Sequence, residues 1–438
     1  MHLLPFYYPI DGADAGFDPI DHTRPDSRLG SWSDLRELAR GKDLMADLIV
    51  NHMSSQSPQF EDFRKSGDGS RYADLFLTYG RVFPKGATEG DLLQIYRIRP
   101  SLPFTAVKFD DGIERLLWTT FTSAQIDINV SSDSGRAYLD QILKQFQGAG
   151  VRAIRLDAAG FAIKKAGTSC FMIPETFELI SRITAQAHAL GIEVLVEMHG
   201  HYGDQIQLAR RVDWVYDFAL PPLVLHALYT HDAVPLKKWL TISPRNTVTV
   251  LDTHDGIGVI DAGGLLGPEQ IGNIVETIHL RSNNESRQAS GEAANNLDVS
   301  QVNCTFYDAL GRSDAEYQIA RALQFFSPGV PQVYYMGLLA GTNDMELLRR
   351  TKEGRDINRH HYTAAEIDLE VQRPVVRALF ELIRFRNTHP AFAGEFSLLP
   401  CMDHQIAIEW RNKEHWARLN VDLNAMNSVI DASPEVRS

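Results

Sequence analysis

The chain has 438 residues, of which 44% are hydrophobic and 23% charged, as is ordinary for a soluble globular protein. The net charge of −13 argues against a nucleic-acid-binding protein, which would present a basic face. No apolar run approaches the roughly 20 residues of a membrane span, and the N-terminus lacks the features of a signal peptide. Three cysteines give neither a disulfide framework nor metal-ligand spacing. We therefore expect a cytoplasmic protein without nucleic-acid or membrane partners, metal or cofactor.

Apolar runs that predict strands alternate with amphipathic helical patterns along the chain. Strands are predicted at Leu3–Tyr8, Leu44–Val50, Ile154–Leu156, Val194–Val196, Trp214–Leu220, Val248–Leu251 and Val333–Met336. The clearest helix is Pro174–Leu190, where apolar residues recur at spacings of three and four, and Tyr138–Phe146 and Val375–Phe385 are similar. This alternation indicates an α/β fold with a parallel sheet, and acids at several strand ends favour a (β/α)₈ TIM barrel.

Two segments break the alternation, and the last part of the chain changes character. The pattern predicts barrel parts at residues 1–51, 130–256 and 313–390, and an inserted small domain at 52–129. A second, Gly-, Asn- and Ser-rich insertion is predicted at 257–312. Short strands such as Ile406–Trp410 indicate a small C-terminal β-domain at 391–438.

The segment Ala153–Gly160, AIRLDAAG, is the most informative stretch. Arg155 and Asp157 are two residues apart on a strand and therefore point to the same side. A guanidinium beside a carboxylate favours its ionised form, which a carboxylate nucleophile requires. Two further predicted strands end in acids, Glu197 and Asp255. Three such strand ends suggest a glycoside-cleaving barrel.

Five short motifs, in order, resemble the signature regions of glycoside hydrolase family thirteen, the α-amylase-like enzymes. They are DLIVNH (Asp47–His52), AIRLDAAG, VLVEMH (Val194–His199), VLDTHD (Val250–Asp255) and GVPQVYYMG (Gly329–Gly337). Longer matches resemble the branch of that family that transfers glucose from sucrose to phosphate. These are AGTSCFM (Ala166–Met172), VYDFALPPL (Val215–Leu223), LDTHDGIGVID (Leu251–Asp261) and NDMELLRRT (Asn343–Thr351).

The resemblance implies a retaining glucosyl phosphorylase that forms a covalent glucosyl-enzyme and releases α-glucose 1-phosphate and fructose. Asp157 would be the nucleophile, Glu197 the general acid/base and Asp255 the transition-state stabiliser. Without the resemblance, an ordinary ion pair of Asp157 with Arg155 is the alternative. The substrates would be sucrose and inorganic phosphate, and a homodimer is left open.

The same resemblance implies a set of binding residues. Substrate-binding roles fall on Asp14, Phe17, His52, Phe121, Arg155, Phe161, His254, Asp298, Gln301 and Arg355, and phosphate-binding roles on Arg99 and His199. Arg97 is a plausible second phosphate contact. For Asp14 and Arg355 the competing interpretation is a surface ion pair, and for the aromatic residues it is core packing.

Two departures from the family pattern leave alternatives open. Met1 falls where the family has already passed its first strand, so we expect a barrel whose first strand is missing through truncation. Ser300 stands where this branch usually carries tyrosine and where relatives acting on sucrose 6-phosphate carry histidine. The alternatives are a phosphorylase acting on sucrose 6-phosphate or glucosylglycerol, or a non-catalytic sugar-binding barrel.

Overall fold

The computed structural model describes residues 1–11, 14–98, 101–291 and 300–434. The chain forms two compact units. The first unit comprises Met1–Met198 and Arg210–Val215, and the second comprises His199–Ala209 and Tyr216–Ser438.

The first unit is built on a parallel sheet. Its neighbouring strands, in spatial order, are His2–Leu3, Leu44–Ile49, Val151–Asp157, Glu193–Val196 and the first two residues of Trp214–Asp217. These strands are apolar runs because they are buried on both faces. The register places Asp47 and Leu195 on either side of Arg155, and Ile49 beside Asp157. The polar residues Asp47, Arg155 and Asp157 of two neighbouring strands therefore lie near the carboxyl end of the sheet.

Three helices of the first unit lie between strands of this sheet along the chain: Trp32–Leu38, Asp133–Ala149 and Pro174–Ala189. The helices Pro58–Ser66, Tyr79–Val82 and Glu89–Gln94 belong to the segment 52–129. In Asp133–Ala149, Ser132 caps the first turn and Gly150, at φ 80°, ends the helix in the left-handed region. Its buried stripe, which includes Leu139, Ile142 and Phe146, explains the apolar periodicity.

The first unit also contains short antiparallel strand pairs. They are Tyr7–Tyr8 with Asp21–Pro25, His52–Ser54 with Gln125–Asp127, and Phe104–Lys108 with Glu114–Trp118. The last two pairs belong to the segment predicted as an inserted small domain. They replace the parallel pattern over this stretch.

The second unit is mainly helical around a large apolar core. Its helices are Tyr202–Leu208, Leu220–Thr230, Val234–Ile242, Pro268–Arg281, Glu285–Ser290, Phe306–Ala309, Asp314–Phe326, Tyr335–Leu338, Met345–Thr351, Ala364–Glu370 and Pro374–Thr388. Thr247–Thr249 and Val330–Pro331 pair in parallel, and Ile257–Gly258 pairs antiparallel with Gln301–Val302.

A four-stranded antiparallel sheet follows near the C-terminus, as the sequence predicted. Its strands are Glu395–Leu398, Gln405–Asn412, His415–Asp422 and Asn427–Ala432. Alternate residues such as Ile406, Ile408 and Leu419 enter the core of the second unit. The indole of Trp410 donates a 2.8 Å hydrogen bond to the carbonyl of Phe326, which fixes the sheet against a core helix.

Two strand predictions were wrong. Val333–Met336 is not a strand, because the chain pairs earlier, at Val330–Pro331, and then turns into the helix Tyr335–Leu338. The predicted strand Leu3–Tyr8 is divided into His2–Leu3 and Tyr7–Tyr8, which belong to different sheets. Among the described helices, none combines the length and apolar character needed to cross a bilayer.

Candidate active site

One buried guanidinium organises the candidate site of the first unit. Arg155 lies on the central strand, and its side chain is 3% exposed. Its Nη1 contacts Asp47 Oδ1 at 2.5 Å and Asp157 Oδ1 at 3.3 Å, and its Nη2 contacts Glu197 Oε1 at 2.6 Å. The sequence predicted the neighbours Asp157 and Glu197 but not the third acid, Asp47.

Arg155 is the common ion-pair partner of Asp47, Asp157 and Glu197, and this arrangement affects the pKa of Asp157. Burial and then the charge of Glu197 raise the pKa of Asp157 well above its usual range, and Arg155 offsets this only in part. The sequence predicted that Arg155 keeps Asp157 ionised, but the pKa of Asp157 is raised, because burial and the charge of Glu197 outweigh the charge of Arg155. Glu197 therefore raises the pKa of Asp157 in the same direction as burial does.

Asp47 is the fixed counter-charge of Arg155. It is fully buried, and its second oxygen contacts His2 Nε2 at 3.1 Å. Although burial opposes ionisation, the charges of Arg155 and His2 hold the pKa of Asp47 below its usual range. The paired anion helps to orient Arg155, whose Nη1 also contacts Asp157 and whose Nη2 contacts Glu197.

The turn after Asp157 brings a backbone amide to Glu197. Ala158 has φ 53°, a left-handed conformation that is uncommon outside glycine, and it precedes the short turn Ala159–Phe161. Its N–H donates to Glu197 Oε2 at 3.4 Å. Backbone strain of this kind is frequent at functional sites.

The sugar-binding residues predicted in the first unit have partners there. His52 is buried, and its Nε2 lies 2.9 Å from the Phe17 carbonyl. Asp14 Oδ2 accepts a 3.1 Å hydrogen bond from Gln125. Phe17 lies under the guanidinium of Arg155, 5.6 Å from ring centre to carbon.

An aromatic group adjoins His52. Phe121 lies edge-on to His52 at 5.2 Å and to Phe161 at 5.4 Å. Phe161 continues into Phe171 and Tyr96. Phe121 and Phe161 also line a small cleft. The arrangement supplies an apolar wall of the kind that sugar pockets use.

Sequence reasoning missed a buried lysine beside this wall. The Lys164 side chain is 1% exposed, and its Nζ lies 2.9 Å from Asp127 Oδ2 and 3.0 Å from Asn51 Oδ1. It also donates to the Phe161 carbonyl. An inward lysine gives no signal in the sequence, because Lys164 and Lys165 look alike there.

Asp255 forms the acidic centre of the second unit. Its Oδ1 contacts Arg355 Nη1 at 3.0 Å, and its Oδ2 lies 3.7 Å from His254 Nε2. Burial opposes ionisation, but the charges of Arg355 and His254 hold the pKa of Asp255 below its usual range. The structure thus brings together Asp255, which the sequence predicted as the transition-state stabiliser, and two predicted substrate-binding residues, His254 and Arg355.

Backbone contacts hold this acidic centre in place. Asn358 donates to the carbonyls of Thr253 and Asp255 at 2.7 and 3.1 Å. Arg359 donates to the carbonyl of His254 at 2.9 Å. The turn Gly354–Asn358 therefore binds the segment that carries Asp255, and neither Asn358 nor Arg359 was predicted from the sequence.

Three residues of the second unit contact the imidazole of His199. Its ring stacks on Phe218 at 4.0 Å with 14° between the planes. Its Nδ1 lies 3.1 Å from Asp261 Oδ2, and its Nε2 lies 3.5 Å from the amide nitrogen of Gln301. Two predicted binding residues, His199 and Gln301, are thus neighbours. Arg99 and Asp298, also predicted, lie outside the described residues.

The sequence of the chain is similar to those of known proteins over nearly its whole length. The model of the α-amylase catalytic domain matches residues 1–170. A sucrose phosphorylase from Agrobacterium vitis is 57% identical over 440 residues, covering 99% of this chain and 90% of the relative. A sucrose phosphorylase from Bifidobacterium adolescentis is 54% identical, covering 99% of this chain and 88% of the relative.

A solved structure confirms the fold class. The sucrose 6F-phosphate phosphorylase from Thermoanaerobacter thermosaccharolyticum superposes with a TM-score of 0.92 at 40% identity, covering 99% of this chain and 89% of that one. The α/β barrel class with a C-terminal β-sheet, expected from the sequence, is therefore correct.

Proposed function

Because the chain belongs to the sucrose phosphorylase family of α-amylase-like enzymes, we propose that it transfers the glucosyl group of sucrose to inorganic phosphate. The products are α-glucose 1-phosphate and fructose, and the proposed compartment is the cytoplasm. The observation that carries the proposal is the pair of Asp157 and Glu197 on one guanidinium, at adjacent strand ends.

The first step forms a covalent intermediate. An Asp157 oxygen attacks the anomeric carbon of the glucosyl unit, and the bond from that carbon to the fructosyl oxygen breaks. Glu197 gives its proton to the departing oxygen, so fructose leaves neutral. Arg155, which contacts Glu197 at 2.6 Å, stabilises the carboxylate that remains on Glu197.

The second step reverses the roles. A phosphate oxygen attacks the same carbon, the bond to Asp157 breaks, and Glu197 takes up the proton that phosphate loses. Two displacements give a product with retained configuration. The pair then again holds one proton and is ready for the next sucrose.

The remaining predicted residues have proposed roles that follow the family resemblance. Asp255, as a permanent anion, is proposed to stabilise the positive charge that develops on the sugar ring. His52, Asp14, Arg155, His254, Arg355 and Gln301 are proposed to bind the sugar units, with Phe17, Phe121 and Phe161 at apolar sugar faces. Arg99 and His199 are proposed for phosphate, and Asp298 for fructose.

Phosphate dependence tests the proposal directly. With sucrose as the substrate, we expect fructose release to rise by at least about tenfold when inorganic phosphate is added, with α-glucose 1-phosphate formed in equal amount. Equal fructose release with and without phosphate would show a hydrolase instead. Asp157→Asn is the matched control, and it should release neither product.

A trapping experiment separates an enzyme from a sugar-binding barrel. An activated fluoroglucosyl donor should label Asp157, because the fluorine slows both displacements and the good leaving group restores the rate of the first one only. Mass spectrometry of a proteolytic digest locates the label. A folded chain that binds sucrose but takes up no label would identify the non-catalytic alternative.

The residue type at Ser300 does not determine which acceptor the enzyme uses. Because a similar solved structure is that of a sucrose 6F-phosphate phosphorylase, sucrose 6-phosphate is the second candidate substrate. A panel of acceptors with glucose 1-phosphate as donor distinguishes them. Fructose should be the best acceptor. A preference of more than tenfold for fructose 6-phosphate or glycerol would assign the chain to the corresponding phosphorylase.

A further inference from the structure

Asp261 is a fully buried carboxylate that the proposed reaction does not use. It lies in the short turn Ile260–Ala262 of the second unit. One oxygen accepts the N–H of Gly200 at 2.9 Å, and the other lies 3.1 Å from Nδ1 of His199. Both oxygens are thus directed at two consecutive residues, His199 and Gly200.

The chain makes room for this contact at Gly258. A Cβ placed there would lie 2.6 Å from Asp261 Oδ2 and 3.6 Å from His199 Nδ1. Any side chain at this position would collide with the carboxylate that binds the imidazole. The absence of a side chain at Gly258 is therefore a condition for the contact.

These contacts determine which nitrogen of His199 carries the proton. A carboxylate can only accept, so Nδ1 must be the donor to Asp261. Nε2 is then the acceptor facing the amide of Gln301, 3.5 Å away. Stacking on Phe218 fixes the plane of the ring, and Nε2 points away from the buried acid.

We propose that Asp261 is a positioning residue that fixes the orientation and tautomer of His199, so that Nε2 is the nitrogen presented to phosphate. The proposal rests on the proposed function, in which His199 binds phosphate. A carboxylate on Nδ1 also stabilises the imidazolium that forms when Nε2 gains a proton. The imidazolium then gives an anion a charge-assisted hydrogen bond that a neutral ring lacks.

Asp261→Asn tests the proposal with little change in shape. We expect the phosphate KM to rise about tenfold or more, because a hydrogen bond to a charged group is lost. Fructose release by hydrolysis, measured without phosphate, should stay within about twofold, because water requires no anion site. Asp308→Asn, another buried acid of this unit, is the matched control and should leave the phosphate KM unchanged.

The route through His199 is tested by a double-mutant cycle. In a His199→Ala background, Asp261→Asn should have no further effect on the phosphate KM. An unchanged KM in the single variant, or a full tenfold rise in the His199→Ala background, would overturn the proposal. So would a parallel fall of hydrolysis and phosphorolysis.

Nitrogen NMR of the imidazole reads the tautomer without any activity. The wild-type ring should be protonated at Nδ1, and Asp261→Asn should move the population toward Nε2 protonation, with His199→Gln used to assign the signal. An unchanged tautomer would contradict the positioning role. If the tautomer shifts as expected but fructose release by the wild type does not depend on phosphate, the proposed function is wrong and the positioning role of Asp261 stands.

Discussion

Asp157, the proposed nucleophile, carries an electrostatic cost in the folded state. It is buried beside Glu197, and both factors raise its pKa, so keeping it ionised lowers stability. Asp157→Asn should therefore lower turnover by at least about 10³-fold. The same change should raise Tm by about 1–3 °C at pH 7, because the folded wild type must either hold this carboxyl protonated or bury its charge beside Glu197.

The thermal gain in Asp157→Asn should depend on pH. Below about pH 4 the folded and the unfolded wild type both carry the proton, so the two proteins should melt together. The difference should grow as pH rises, because only the unfolded wild type releases this proton freely. Calorimetry of the variant against Asp403→Asn, an exposed acid, checks this. A lower Tm for Asp157→Asn at pH 7 would contradict it.

Asp217 gives a second pH prediction at the residue scale. It is buried, it accepts the indole N–H of Trp239 at 2.9 Å, and burial raises its pKa to about 7. Since the folded pKa lies above the unfolded value, the native state loses stability as pH rises from about 4 through 7. Asp217→Asn lacks this loss.

The measurement for Asp217 is urea unfolding at several pH values. The free energy of unfolding of Asp217→Asn, relative to wild type, should increase by about 2–4 kcal/mol between pH 4 and pH 8. Hydrogen-bond losses add a constant that does not depend on pH. A difference that stays flat over this range would show that Asp217 does not retain its proton.

At the scale of elements, Lys164 joins a loop to a strand pair. Its ammonium contacts Asp127, on the strand Gln125–Asp127, and Asn51, next to the paired strand. Lys164→Met leaves Asp127 buried without its counter-charge, so unfolding should become easier by about 3–5 kcal/mol. Lys165→Met is the neighbouring control. Its exposed pair with Glu175 should contribute less than about 1 kcal/mol. Chemical denaturation measures both, and equal losses would refute the network.

Sequence patterns predicted elements well where one periodicity dominated. Pro174–Ala189 ends within one residue of its prediction, because its proline start and apolar stripe are local signals. The strand predicted at Val333–Met336 was wrong, because a short buried apolar run is compatible with either a strand or a helix. Only the pairing with distant segments determines which of the two forms. The strand-end acids Asp157 and Glu197 could be predicted because each follows a short apolar run within a motif that resembles a signature region of the family. The partners Asp47, Lys164 and Asp261 could not, since contacts between distant segments leave no local pattern.

At the scale of the whole molecule, the net negative charge repels phosphate but has no such effect on sucrose. The chain carries 56 acidic residues against 43 Lys and Arg, a net charge of −13. Phosphate is an anion at pH 7, whereas sucrose is neutral. A net negative field slows the approach of an anion and acts over roughly 30 Å at 0.01 M salt, but only about 10 Å at 0.1 M.

Ionic strength should therefore affect the two substrates differently. Raising potassium chloride from about 0.01 to 0.1 M should increase kcat/KM for phosphate by about two- to threefold, because the long-range repulsion is screened. The value for sucrose, measured at saturating phosphate, should stay constant and serves as the internal control. If kcat/KM for phosphate falls steadily from the lowest salt, cations close to the bound anion outweigh the net charge of the molecule. Phosphate capture would then be governed by local groups such as His199 rather than by the acidic surface as a whole.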